Sequence, residues 1–558
     1  MCRATWIARV FICVLAAGWC AAFSVAACAQ KSPGGIRYGS EDEIILQGFH
    51  WNSVRMPGTW YDTLKKKAPQ IAADGFTIIW LPPVWQDTSS WKSGDKSGGG
   101  EGYFWGSFNK NSGYGTNTQL KEAIQALKKA GIKLVYDVVP NHMDRSKASS
   151  ANFLPKTGKI WRRDCDDKGA GSGPSPCDDG DPFMSGDSDF NLGNADVEAM
   201  FEKEFINLRD NYSASGLRFD FVRGYAPRHV QHWMSDVFDN GICIGEMWKS
   251  PGEFPADNPL HNKSFQDGLK DWSDHSDCMV FDFALKDRMQ NGSISEWRNG
   301  LNGNPEPRWR DIAVTFVDNH DTGPSPGPGG GQHIWPIASP LRKQAYAYIL
   351  SSPGTPAVYW PDMYGPHTDN DDLHDYLRLL IQTRRTAGIR ADSDIRFPTQ
   401  CGSQHCTGLV AVITGSHQQL LVALNSNLAK PDQVSQDAYL PALSHDDGKI
   451  RIWHTGPAAA SVNVTFRCDN GKTQTGDSVY VVGSSPELGN WDPAKAVRLT
   501  DVSTYPTWKG SIALPGQQGV EWKCIIRNEA DASQVKSWQP GSDNEVIVMQ
   551  DASTGGAF

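Results

Sequence analysis

Short apolar runs alternate with amphipathic stretches from about residue 43 to residue 390. The runs predict buried strands at residues 43–48, 77–81, 133–139, 217–221, 242–246, 279–283, 313–317 and 356–359. The clearest helix between them has Leu120, Ile124, Leu127 and Ile132 on one face and Lys121, Glu122, Lys128 and Lys129 on the other. Eight strand-then-helix units predict an α/β fold, a (β/α)8 barrel, with a doubly wound open sheet as the alternative.

The connections and the C-terminal part divide the chain further. Residues 143–195 are a long connection rich in Gly, Asp, Ser and Pro, which predicts a loop domain inserted in a catalytic barrel over residues 30–390. Short alternating runs over residues 391–455 predict a small antiparallel β domain. After a small-residue linker at residues 456–461, residues 462–558 alternate again and predict a separate β-sandwich.

The composition narrows the class of ligand. The formal net charge of -10, without a long Lys/Arg run, disfavours nucleic acid as a partner. The chain has 21 Trp, a residue whose flat apolar face suits the C–H faces of sugar rings but also fills protein cores. We expect a monomer with no obligate protein partner.

Residues 1–29 have the pattern of an export signal. Arg3 and Arg9 precede a long apolar run that ends among small residues. One interpretation is cleavage after Ala29, a second is a lipoprotein signal with Cys28 lipidated, and a third is an uncleaved membrane anchor. We expect a secreted protein, with a lipid anchor through Cys28 as an alternative.

Eight of the 12 cysteines follow this leader. An even number in an exported chain favours disulfides, and the absence of a C-x-x-C spacing argues against zinc. Eight cysteines allow 105 connectivities, so the pairing rests only on nearness along the chain. The predicted pairs are Cys165–Cys177, Cys243–Cys278, Cys401–Cys406 and Cys468–Cys524.

The predicted strand ends carry an unusual concentration of charge. The carboxyl ends of the third, fourth, fifth and seventh strands hold Asp137, Asn141, His142, Arg218, Asp220, Glu246, Asp318, His320 and Asp321. In a (β/α)8 barrel these strand ends meet at one face. Because buried carboxylates are costly unless they are paired or functional, their convergence predicts an active site.

Glycoside hydrolysis needs two carboxyl groups that flank one bond, about 5 to 5.5 Å apart in retaining enzymes. Adjacent strands lie about 4.8 Å apart, so Asp220 and Glu246 on neighbouring strands can meet this requirement. Arg218 faces the same side as Asp220 and would keep it ionised, whereas Glu246 must keep a proton. The residues expected to bind sugar hydroxyls are His142, His320 and Asp321.

Four segments, DVVPNH, GLRFDFVRG, GEMW and FVDNHD, resemble the four signature regions of glycoside hydrolase family 13, the α-amylase family. Their order and spacing also fit, and the resemblance spans roughly residues 40–455. It implies α-glucan substrates and a retaining outcome. By resemblance, Asp220 is the nucleophile, Glu246 the general acid/base and Asp321 the transition-state stabiliser.

The segments ILQGFHW, GGGEGYFW and CDDGDPF further resemble the maltotetraose-forming amylases of bacteria. This resemblance implies release of maltotetraose from non-reducing ends, with Asp187 binding the chain end. Ser185 stands where those amylases have Gly, and residues 361–374 also depart from their pattern. The positions that match sugar-stacking aromatics are Trp51, Trp91 and Tyr103.

Acidic residues cluster in the long third connection, and oxygen-rich clusters in Gly-rich turns suit Ca²⁺. By resemblance, the calcium ligands are Asn141, Asp178, Asp181, Asp189 and the backbone carbonyl of Gly224. A second calcium site of the maltotetraose-forming relatives is not expected here. Asp42 and Glu43 are present, but Gly39 replaces a His ligand.

Residues 462–550 resemble carbohydrate-binding module family 20, a starch-binding domain, in the run from Tyr480 to Trp491 and in the aromatic positions that follow it. By resemblance, one glucan site consists of Trp491, Lys523, Trp538 and Asn544, and a second of Tyr480, Tyr505 and Trp508. The expected partners are therefore starch and malto-oligosaccharides.

Three other functions fit parts of this pattern. A non-catalytic glucan-binding protein would need no intact set of Asp220, Glu246 and Asp321. An endo-acting amylase and a transglycosylase would use the same three residues. The sizes of the reaction products separate these functions.

Overall fold

The computed structural model describes residues 42–90, 98–162, 180–238, 241–366 and 372–558. The predicted leader with Cys28, and the predicted residues Trp91, Cys165, Cys177 and Asp178, lie outside these ranges. Among the described residues, no helix is both long enough and apolar enough to cross a membrane.

Eight parallel strands close into a barrel in sequence order, with Ile45 of the first strand opposite Ala357 of the last. The strands are β1 (Ile45–Gln47), β2 (Ile78–Leu81), β3 (Lys133–Val138), β4 (Gly216–Phe219), β5 (Ile242–Gly245), β6 (Met279–Phe281), β7 (Ala313–Phe316) and β8 (Thr355–Tyr359). The predicted barrel is confirmed, and the open sheet is excluded. Nearly every strand position is buried, which is why the strands read as continuous apolar runs.

Helices surround the barrel. They are α1 (Trp60–Ala73), α2 (Asn117–Lys129), α3 (Ala195–Tyr212), α4 (Pro227–Val237), α5 (Phe265–Ser276), α6 (Phe283–Asn291), α7 (Pro307–Asp311), α8 (Arg342–Ser351), α9 (Trp360–Tyr364) and α10 (His374–Ala387). Helix α2 has the predicted buried face of Leu120, Ile124 and Leu127. Ile132 was wrongly included, because the chain leaves the helix at Lys129 and turns at Gly131, whose φ is +81°.

The strands of the middle β domain are β9 (Asp394–Arg396), β10 (Gln400–Cys401), β11 (Gln404–His405), β12 (Leu409–Thr414), β13 (Gln419–Leu424), β14 (Leu440–His445) and β15 (Ile450–His454). Those of the C-terminal module are β16 (Ser461–Asp469), β17 (Asp477–Gly483), β18 (Val497–Arg498), β19 (Asp501–Thr504), β20 (Thr507–Pro515), β21 (Gln518–Asn528), β22 (Val535–Trp538), β23 (Asn544–Val548) and β24 (Ala552–Ala557). Strands β19, β20, β16 and β24 form one sheet of the module.

The other module sheet is joined to the sheet of the middle β domain. Strand β14 pairs in parallel with β21 at Leu443 and Gly519, so one ten-stranded sheet runs through both units. The close approach depends on glycine, because a Cβ on Gly519 would lie 2.3 Å from the Leu443 side chain. A contact between two distant segments leaves no local pattern in the sequence.

Three of the four predicted disulfides lie within the described residues, and all three are formed. They are Cys243–Cys278, Cys401–Cys406 and Cys468–Cys524. Cys243 lies in β5 and Cys278 directly precedes β6, so the first bond links neighbouring barrel strands beneath the strand ends that carry the candidate site.

Candidate active site

The charged residues predicted at the strand ends come together at one mouth of the barrel. Asp137 and Arg218 lie in β3 and β4, and Asp220 and Glu246 directly follow β4 and β5. Asp321 follows β7, and its backbone N–H donates to the Asn319 side chain in a tight turn (3.0 Å). The barrel therefore brings residues together that are far apart in the chain.

Arg218 is fully buried and links three carboxyl groups. Its Nη1 donates to Asp137 Oδ1 (2.9 Å) and to Asp220 Oδ1 (2.6 Å), and its Nη2 lies 2.7 Å from Glu246 Oε1. Because Asp220 and Glu246 contact one planar guanidinium, their carboxyl groups lie on the same side of the mouth, close to each other. Trp80 packs against Arg218, with the guanidinium carbon 5.0 Å from the ring centre.

This cluster holds more carboxyl groups than one guanidinium can neutralise. Burial raises the pKa of Glu246 well above its usual value, and the nearby charges of Asp220 and Asp321 raise it further against the attraction of Arg218. Burial also raises the pKa of Asp137 and of Asp321 to about 7. Not all of these groups can be ionised at once, and the raised pKa of Glu246 favours its protonated form.

His320 presents a neutral ring to Asp321. Gln47 donates from Nε2 to His320 Nδ1 (2.9 Å), so the ring proton is on Nε2, which lies 3.4 Å from Asp321 Oδ2. Burial lowers the pKa of His320 well below its usual value. Gln332 donates to the other Asp321 oxygen (2.8 Å), so this carboxyl is held from two sides.

His142 is enclosed by the protein. Its Nε2 donates to the Tyr103 carbonyl (2.9 Å), its Nδ1 accepts from the Asn141 amide (3.2 Å), and its ring stacks on Phe183. Burial lowers its pKa to about 4, so the ring is neutral. Direct binding of a sugar hydroxyl by His142 stays a prediction, because the hydroxyl would have to replace the Tyr103 carbonyl.

Trp51 and Tyr103 form an aromatic wall beside the carboxyl groups. Their rings are nearly parallel, with centres 6.0 Å apart, and Tyr103 stacks on His320 at 5.1 Å. The Tyr103 hydroxyl donates to Asp137 Oδ2 (2.8 Å), which joins the wall to the Arg218 cluster. The stacking roles predicted for Trp51 and Tyr103 stay predictions.

An ion pair between Arg55 and Glu101 holds this wall together. Arg55 donates to the Trp51 carbonyl (3.3 Å) and the Gly99 carbonyl (2.8 Å), and it pairs with the buried Glu101 carboxylate. Glu101 also accepts the Gly99 N–H (2.5 Å). The pair thus ties the segment of Trp51 to the loop that leads into Tyr103.

Asp187 lies in the loop between β3 and α3, where its carboxylate accepts the Ser185 hydroxyl (3.0 Å). Its backbone carbonyl accepts from Arg145 (2.8 Å). Ser185, the departure from the maltotetraose-forming pattern, therefore contacts Asp187 directly. The chain-end role of Asp187 stays a prediction.

A cavity of about 330 Å³ opens beside Glu246, and it is lined by Phe221, Arg223, Glu246, Trp248 and Glu253. Trp248 lies parallel to Trp335 with ring centres 6.1 Å apart. The Gly- and Pro-rich segment of Trp335 gives no strand or helix pattern, so the sequence does not predict its position. The GEMW segment contains Trp248 but predicts no role for it.

Among the described candidate calcium ligands, Asn141, Asp189 and Gly224 lie close together beside the end of β3. Asp189 is buried, its Oδ1 has no hydrogen-bond partner, and burial raises its pKa to about 6. Asn141 Oδ1 lies against Gly224, where a Cβ would come within 2.2 Å of it. These oxygen donors, together with the Gly224 carbonyl, suit a hard cation that would offset the buried Asp189 charge.

The predicted ligand Asp181 has cationic partners in this structure. Its two oxygens accept from Arg223 (2.6 Å) and from Lys249 (2.8 Å). These two cations hold the pKa of Asp181 below its usual value against the effect of burial. The role of Asp181 as a calcium ligand stays a prediction, as do the roles of Asn141, Asp189 and Gly224.

The aromatic residues predicted as glucan platforms of the C-terminal module divide into exposed and buried ones. Trp538 and Tyr505 are 42% and 54% exposed, and Trp491 is half-buried. Trp491 follows Asn490 in a left-handed backbone conformation, with φ of +63° and +51°. Strain of this kind is concentrated at functional sites.

Two of the predicted platforms, Tyr480 and Trp508, are buried in this structure, and their glucan-binding roles stay predictions. The Tyr480 ring is buried and covered by the Arg527 guanidinium at 3.9 Å. It lies opposite Ile525, which lies opposite Trp538, so Tyr480 shares a face of the sheet with Trp538 of the predicted first site. Trp508 is also buried, and its indole N–H donates to the Gly471 carbonyl (2.8 Å).

Family models match three segments of the chain. They are described as "Alpha amylase, catalytic domain" for residues 59–168, "Glucan 1,4-alpha-maltotetraohydrolase, domain C" for residues 371–436, and "Starch binding domain" for residues 461–556. A solved structure of the family 20 CBM of a maltotetraose-forming amylase from Pseudomonas saccharophila STB07 is 68% identical. It covers 17% of this chain and 100% of its own, with a TM-score of 0.17.

Two similar relatives are the glucan 1,4-alpha-maltotetraohydrolases of Roseateles saccharophilus and Stutzerimonas stutzeri. They are 56% and 55% identical over 540 residues, which cover 95% and 96% of this chain and 96% of each relative. The chain therefore belongs to the α-amylase family of glycoside hydrolases. It is an enzyme of that class, and the particular relatives that it matches over nearly its full length are maltotetraohydrolases.

The Arg55–Glu101 pair can be tested by kinetics. We expect Arg55→Gln to raise KM for maltoheptaose by about tenfold with a smaller change in kcat, because the aromatic wall loses its orientation while the Arg218 cluster stays intact. The control is Lys65→Gln, which removes the exposed Lys65–Glu122 pair. An Arg55→Gln enzyme with the KM of the unmodified protein would contradict this role.

Calcium binding can be tested by thermal unfolding. A chelator of Ca²⁺ is expected to lower the unfolding midpoint by several degrees, because an ion that binds only the folded state stabilises it. Asp189→Asn should lower the midpoint in the presence of calcium and make it less sensitive to the chelator. A midpoint that the chelator leaves unchanged would rule out this site.

Proposed function

We propose that the protein is an exported, retaining α-1,4-glucan hydrolase that releases maltotetraose from the non-reducing ends of starch chains. The observation that carries the catalytic part is the contact of one buried guanidinium with both Asp220 and Glu246. A pair so placed can act on the two sides of a single glycosidic bond.

In the proposed reaction, Asp220 attacks the anomeric carbon while Glu246 gives its proton to the departing glycosidic oxygen. The bond from carbon to that oxygen breaks, and an ester to Asp220 forms. Glu246, now a carboxylate, takes a proton from water, and the water oxygen attacks the same carbon and frees Asp220. The raised pKa of Glu246 suits the first step.

Asp321 and His320 are proposed to bind hydroxyl groups of the glucosyl unit that reacts. The neutral His320 ring and the Gln332 amide hold the Asp321 carboxyl in one orientation. Hydrogen bonds that strengthen as the sugar ring flattens stabilise the transition state.

The size of the product is proposed from the relatives and from Asp187. Both relatives are named as maltotetraohydrolases. Asp187 lies in the loop whose Phe183 stacks on His142, beside the mouth of the barrel. A carboxylate at this place can bind the terminal hydroxyls of a chain and thus set the distance from the chain end to the cleaved bond.

The remaining parts of the proposal concern starch and calcium. We propose that the C-terminal module binds starch through a surface that includes Trp491 and Trp538, because an exposed indole can stack on a sugar ring. When bound, Ca²⁺ would link Asn141 of the β3 end to Asp189 of the long loop and so stabilise one side of the mouth. From the sequence patterns we also propose that the protein is exported and monomeric.

Chromatography of early products from soluble starch tests the function. The protein should release maltotetraose as the dominant product, and Glu246→Gln should release almost none while it still adsorbs to starch. Asp187→Ala should broaden the product sizes, whereas the control Asp196→Ala on helix α3 should not. A ladder of sizes from the unmodified protein would indicate endo-action, and longer chains would indicate transfer; either result contradicts the proposal.

A further inference from the structure

The C-terminal module is joined to the middle β domain by more than its short connection. Only residues 455–460 separate β15 from β16, and Gly516 donates its backbone N–H to the Ala460 carbonyl (2.9 Å). The shared pairing of β14 with β21 then places the module against residues 444–448. We call residues 446–448 the domain turn.

A buried carboxylate forms the centre of this contact. Glu521 of β21 is 1% exposed, and it accepts the Ser444 hydroxyl (2.6 Å) and the Gly448 N–H (2.8 Å). Glu545 of β23 accepts the Asp446 N–H (2.7 Å) and lies 2.8 Å from His445 Nε2. The module is therefore fixed to the domain turn through hydrogen bonds to two of its own strands.

The domain turn also reaches a module segment that lies beside the proposed glucan site. Residues 538–544, which we call the site turn, begin at the exposed Trp538 and end at Asn544. The Asp543 N–H donates to Asp447 Oδ1 of the domain turn (2.9 Å). This bond connects the two turns directly.

From inside the module, the site turn is held by Lys523. The ammonium group donates to the Gly541 carbonyl (2.5 Å) and lies within 3.4 Å of the Gln539 and Ser542 carbonyls. It also lies 3.5 Å from Asp543 Oδ1. Lys523 thus shapes the turn, and Asp447 is the contact on the opposite, domain side.

The backbone of the domain turn is shaped for this contact. Asp446 and Asp447 both have left-handed conformations, with φ of +58° and +51°. Two successive non-glycine residues in this region are costly and persist where the surrounding structure requires them. In this conformation the Asp447 carboxylate accepts the Asp543 N–H. The contact forms despite charge repulsion, because the carboxylates of Asp447, Glu521 and Asp543 lie within 4.8 Å of one another.

We propose that Asp447 is a positioning residue for starch binding: the domain turn completes the glucan site of the module by holding the site turn. The proposal rests on the proposed starch-binding function of Trp538. It implies that the module is not an independent tethered unit, because part of the support for its binding surface comes from the middle β domain.

The test is adsorption of the full chain to granular starch, measured with Glu246→Gln present throughout so that the starch is not consumed. Asp447→Gly removes the acceptor but tolerates the left-handed conformation, and Asp447→Asn keeps an acceptor oxygen in a residue that also tolerates it. We expect Asp447→Gly to weaken adsorption by about tenfold and Asp447→Asn to stay close to the starting protein.

Four controls make the outcome specific. Asp432→Ala removes an exposed charge elsewhere in the middle β domain and should leave adsorption unchanged. Trp538→Ala should weaken adsorption strongly, and unfolding midpoints should show that every variant is folded. With Glu246 restored, Asp447→Gly should hydrolyse maltoheptaose at the normal rate.

The results distinguish the positioning role of Asp447 from the starch-binding role of Trp538. Adsorption that is normal in Asp447→Gly but weak in Trp538→Ala would overturn the positioning role and leave the glucan site standing. Normal adsorption in Trp538→Ala would overturn both. Equal weakening by Asp447→Gly and Asp447→Asn would also contradict the proposal, because the acceptor oxygen would then not be the feature that matters.

Discussion

The structure of the catalytic mouth depends on one buried cation. A guanidinium without solvent is strongly destabilising unless carboxylates pair with it, and Arg218 meets three carboxyl groups from three consecutive strands. The same contact orders those carboxyl groups. Asp137 lies deepest, where Trp80 and Tyr103 also donate to it, whereas Asp220 and Glu246 face the mouth. The contacts that neutralise the Arg218 charge are therefore the same contacts that place Asp220 and Glu246 at the mouth.

The barrel and the catalytic pair could be predicted from the sequence for a definite reason. Parallel strands covered on both faces read as continuous apolar runs, and the first polar residue after such a run lies at the mouth. Asp220 and Glu246 are in this position directly after β4 and β5. The supporting contacts could not be predicted, because Arg55 and Glu101, or Gln47 and His320, meet only when distant segments fold together.

The burial of Tyr480 in the module could not be predicted for a related reason. Tyr480 lies in β17, where all but the first position are buried, so the alternation that would show which side chains face the solvent is lost. Only the register with Ile525 and Trp538 shows on which face it lies. The ion pairs of Asp181 could not be predicted for a similar reason, since Arg223 and Lys249 are distant from it in the chain.

The central claim is that Asp220, held by Arg218 opposite Glu246, attacks the substrate. The most direct measurement is peptide mass spectrometry of Glu246→Gln after incubation with α-maltotetraosyl fluoride, whose fluoride leaves without the help of an acid. Loss of the base slows release of the sugar, so a maltotetraosyl ester should accumulate on the peptide that contains Asp220. An ester on Asp321 or Asp137, or release of fluoride with inversion and no ester, would contradict the account.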